Sequence, residues 1–120
     1  MTFNRKLLAI SFLSTASLFA GQMMDSHLRQ LIDRTQSDLK VAADSEHPKG
    51  DERKRYNDAQ GHLSTFDRHL TKGKFDKGEL DKSIDNIKAI LDKNVLQART
   101  RDALLQDLTD LKVARDRRSY

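Results

Sequence analysis

The chain of 120 residues has no cysteine and no tryptophan, a single proline and five glycines. Without cysteine it has no disulfide framework, no thiol nucleophile and no acylated N-terminal cysteine to anchor it to lipid. The glycines at 21, 50, 61, 73 and 78 are too scattered to form a phosphate-binding loop. Strand-like alternation over four or more residues is missing, and β-branched residues are few, which argues against a sheet. The length admits one small domain. Charge of one sign is also lacking: 22 Lys and Arg face 18 Asp and Glu, a formal +4. Setting aside Arg5 and Lys6, in an N-terminal segment that reads as removable, leaves +2, so the basicity does not point to nucleic acid.

That segment begins with Arg5 and Lys6, continues through the apolar run Leu7 to Leu13, and ends in the small-residue stretch Ser14 to Gln22, with no acid before Asp25. Positive start, short apolar middle and small residues at the cut are the three parts of a secretory signal. As a helix, Leu7 to Ala20 would span about 21 Å at ~1.5 Å per residue, short of the roughly 30 Å of a bilayer core. The expectation is a signal over residues 1–20, cleaved near Ala20 with Ala16 as the alternative, and one α-helical domain over 21–120. The mature protein is then exported, to the periplasm or the medium.

Four amphipathic patterns fill the remainder. Met24, Leu28, Leu31, Thr35, Leu39 and Ala42 share one helical face over about 23–43. The run from Asp44 to Gly50, holding Pro48, is a loop. Tyr56, Ala59, Leu63, Phe66 and Leu70 mark a second helix from about Asp51, with Gly73 placed for a left-handed C-cap. Phe75, Asp76, Glu79 and Leu80 set out an N-cap acid, an N3 glutamate and a flanking apolar pair, so a third helix starts at Asp76 or Lys77. Its face is Leu80, Ile84, Ile87 and Leu91, widened by Ile90, with Asn94 as the stop. Leu104, Leu108 and Leu111, widened by Leu105 and Val113, define a fourth helix over about 97–116, whose last turn holds Arg115. Short connections favour antiparallel neighbours. The predicted fold is all-α: a small up-down bundle of about four amphipathic helices, arranged as two helical hairpins.

Chemistry is harder to find. Asp58 and His62 lie at i and i+4 on the second helix, and His69 lies one heptad beyond His62, making these three the metal-ligand candidates. Seven residues separate the two histidines by about 10.5 Å along a helix, too far for one ion held at about 2 Å from each ligand. A third ligand would have to come from His27 or His47. Small exported bundles of this size resemble periplasmic b-type cytochromes, which take an axial Met from the first helix and an axial His from the last. Met23 and Met24 suit the first position, but no histidine follows Gln97. Asp81, Asp85, Asp92, Asp102, Asp107 and Asp110 mostly fall opposite the apolar stripes and read as a solvated face. No cofactor is implied.

The sequence therefore predicts a non-enzymatic exported protein that binds a protein partner through a helix face, either a second copy or another envelope protein. Basic clusters at Lys49 to Arg55, Lys72 to Lys77 and Arg115 to Arg118 add weak contact with an anionic envelope surface. A carrier of a small ligand or metal within the bundle is the alternative.

Overall fold

The computed structural model describes residues 16–118, with side chains from Ser26 onward. Four helices follow one another: α1 (Ala16–Glu46), α2 (Asp51–Thr71), α3 (Lys77–Lys93) and α4 (Ala98–Arg118). Each packs on its neighbours in sequence, and α4 returns to pack on α1, closing a four-membered ring among the described residues. Paired levels show every seam to be antiparallel. Gln36 meets Gln60, His62 meets Glu79, Arg101 meets Leu91, and Arg34 meets Asp107. This is the up-down bundle that the short connections predict.

The core is made by the predicted stripes. Tyr56, Ala59, Leu63, Phe66 and Leu70 of α2 are all buried, as are Leu80, Ile84, Ile87, Ile90 and Leu91 of α3. From α1 come Leu28, Ile32, Leu39 and Ala42, with Leu31 half-buried at the margin. Thr35 is buried among them because its hydroxyl donates to the Leu31 carbonyl at 2.8 Å and so arrives already hydrogen-bonded.

Local signals fix the α2–α3 turn. The Lys74 N–H donates to the His69 carbonyl and the Gly73 N–H to that of Leu70, both at 2.9 Å, around Gly73 at φ 85°. That pair of bonds is a Schellman motif, and the left-handed residue at its centre explains the glycine. Asp76 caps α3 by accepting from the Glu79 N–H at 3.2 Å. Phe75, just outside the cap, meets the Phe66 ring edge to face at 5.4 Å.

Several expectations are corrected. Among the described residues helix α1 is longer than 23–43: it already covers Ala16 and continues through Asp44, Ser45 and Glu46, so the loop shrinks to 47–50, with left-handed His47 and Gly50. The expected signal lies outside the described residues up to 15, and cleavage after Ala20 would fall within α1. Core membership for Met24 also lies outside the described side chains. Asn94 stops α3 where expected but not as a left-handed cap. It is extended (φ −87°, ψ 152°) and buried, its side chain accepting from Arg55 at 2.9 Å and donating to the Glu52 carbonyl at 3.2 Å. Leu105 and Val113 do not widen the α4 core face; they are 51% and 42% exposed. A helix shows only about one hydrophobic arc to its neighbours, and Leu104, Leu108 and Leu111 already fill it.

Candidate functional site

The metal-ligand candidates are not gathered together. Asp58 binds Lys54 at 2.7 Å along the α2 surface. His62 reaches across to α3, with its Nδ1 at 2.7 Å from Glu79 Oε2. His69 sits a heptad away, at the turn, with its Nδ1 at 2.6 Å from Asp76 Oδ2. Each histidine thus has its own carboxylate. These contacts tie α2 to the first turn of α3, and Glu79 turns to His62 rather than back to the cap as a capping box would have it. The N–H of Glu79, followed by His69, holds the Asp76 carboxyl below its usual value. Among the described residues no group of three His, Asp or Glu is placed to hold a metal ion.

The polar cluster that stands out is not among those candidates. It lies on the α1–α4 seam, where Asp107 is fully buried at a position expected to be solvated. In sequence it stands three residues after Leu104 and four before Leu111, within the apolar arc itself, which is the one signal that marks it. Arg34 of α1 forks over α4: Nε donates to Asp107 Oδ1 and Nη2 to Asp110 Oδ2, both at 2.7 Å. Asp110, first, and then Asp107 raise the Arg34 guanidinium further above its ordinary value. The other Asp107 oxygen, Oδ2, is buried and receives no donor. Asp38 of α1 stands within hydrogen-bonding reach of the Asp107 carboxyl. Burial, and then Asp38, push Asp107 up to about 7 against the pull of Arg34.

Further along the same seam, a groove of about 620 Å³ opens between α1 and α4. Leu28, Leu31, Val113 and Ala114 provide its apolar lining, and Arg34 and Arg117 its cationic one. Arg118, also on its wall, lies 4.8 Å from the centre of the Phe75 ring. At the opposite end of the bundle the seam is closed by Glu46, which accepts from the Gln97 N–H at 2.8 Å at the start of α4. No helix among the described residues is long and apolar enough to cross a membrane.

No protein-family model, curated protein or solved structure matches the chain.

Proposed function

We propose that the chain is exported and works as a non-enzymatic helical module that binds another protein, a second copy or an envelope protein, through the outer face of α4. The observation that carries this reading is the double use of α4. It turns Leu104, Leu108 and Leu111 inward, yet holds Leu105 and Val113 in water, with Thr109 between them in steps of four. Large apolar side chains on a helix face turned from the core favour a partner that removes them from solvent. Export rests on the tripartite pattern of residues 5–22.

Native mass spectrometry of the full chain, expressed with its own N-terminus and recovered from the exported fraction, tests both parts. The expected species begins near Gly21 and sits in a homodimer or a protein complex that L105E/V113E dissolves while leaving the helical content of the chain unchanged. An uncut chain rejects export. A bare monomer, or a complex indifferent to the double substitution, rejects the α4 face.

A further inference from the structure

The oxygen of Asp107 that Arg34 leaves untouched is buried without a donor, and the polar group next to this carboxyl is itself a carboxyl, Asp38. Two ionised carboxylates have only acceptors to offer each other, so the contact repels and leaves a buried oxygen unsatisfied. A single proton reverses this. One carboxyl becomes an O–H donor, the other remains its acceptor, and Arg34 still finds an oxygen for its Nε. We infer that Asp38 and Asp107 share one proton, which latches α1 onto α4, and that losing this proton loosens the seam.

The surroundings favour that state. One guanidinium, Arg34, serves two carboxyls of α4, Asp107 and Asp110, and a third carboxyl, Asp38 of α1, stands beside Asp107. Among the described residues the cations that reach from α4 to α3 are Arg115, paired with Asp81, and Arg101, on the Leu91 carbonyl, which stand eight and six residues from Asp107. Helix α2 stands diagonal to α4, and their backbones do not pack on one another. The Asp107 side chain is 1% exposed, so bulk solvent does not reach its carboxyl. Its carboxyl is raised to about 7, so the proton is exchanged in the neutral range. The sign follows from linkage. A carboxyl that binds its proton more tightly folded than unfolded stabilises the fold most below its unfolded value of about 4, and that contribution is lost as pH rises through the folded value. The seam thus weakens toward alkaline pH. This holds whatever binds the outer face of α4.

A carboxyl-selective ¹³C NMR titration of the full chain tests the latch, together with thermal unfolding of wild type, D107N and D38N from about pH 5 to 9. The side-chain amide that D107N introduces can accept from Arg34 and donate to Asp38, imitating the protonated acid. The expected result is one carboxyl of the pair titrating near neutrality, a wild-type Tm that falls from about pH 5 to about pH 7 and levels off above it, and a D107N profile without that fall. In D38N the new amide donates to Asp107, whose midpoint should fall below its wild-type value, while burial still holds it above the ordinary carboxylate range. Because Asp38 is only half-buried, D38N carries the test if D107N does not fold. Both carboxyls titrating near ~4, or a D38N profile parallel to wild type, would overturn the proposal.

Discussion

The α2–α3 hairpin and the α1–α4 seam both join antiparallel helices, but they are held by different means. The hairpin is locked by neighbours in sequence: a Schellman turn at Gly73, the Asp76 cap, the Phe66–Phe75 edge contact and two His–carboxylate pairs. Between these sits an apolar interface of residues such as Leu63, Phe66, Leu80 and Ile87, none of them exposed. The seam instead places Arg34 against Asp107 and Asp110 and then opens into a groove. Apolar packing supplies free energy without fixing register. A buried carboxyl that must meet one guanidinium fixes register but carries a desolvation cost. The hairpin is built for strength and the seam for specificity.

The contrast is broken most severely from the hairpin side. Phe66→Ala removes a fully buried ring together with its edge contact to Phe75, and should cost about 3–5 kcal/mol, read from the midpoint of urea unfolding. On the seam, Arg34→Ala removes the donor of Asp107 Oδ1. It should cost about 2 kcal/mol at alkaline pH, the scale of a hydrogen bond to a charged group. Protonation of Asp107 relieves the loss, so the same denaturation series at acid pH should show a smaller cost. Asp76→Ala should lower Tm less than Phe66→Ala, and its cost should shrink toward acid pH. The Asp76 carboxyl is held below its usual value, so its contribution is present above the unfolded value and is lost as pH falls through the folded one. The smallest effect expected is a gain. Gly61 lies mid-helix with nothing within 4 Å of where a Cβ would stand, so Gly61→Ala should raise stability by about 0.5–1 kcal/mol in the same assay.

Legibility in the sequence follows the same division. The stripes of α2 and α3, the Asp76 cap and the glycine at 73 can be read because each depends on residues a few positions apart. Asp107 cannot be read as a site in this way. Its partners Arg34 and Asp38 are about seventy residues away, and spacing within α4 shows only an acid within an apolar arc. Leu105 and Val113 mislead for a related reason: periodicity counts apolar residues on a helix, but the neighbouring helices decide how many are covered. The loss of Glu79 from the capping box to His62 and the use of Asn94 to tie α3 to α2 are likewise choices made by a second helix. Asp58, His62 and His69 share a helix, yet each is satisfied by a different neighbour.

The ring of helices has three joints between elements adjacent in the chain and one between its first and last helices. Arg34 and Asp107 are 73 residues apart, whereas His62 and Glu79 are 17 apart. Closing the longer loop costs about 1.3 kcal/mol more in chain entropy, before the intervening helices have formed. Once they have formed, that excess largely disappears. Chain entropy thereby favours an order of assembly with the hairpins first and the seam last. Substitutions in the Arg34 cluster should therefore accelerate unfolding and leave the refolding rate nearly unchanged, as read from the two arms of a chevron plot.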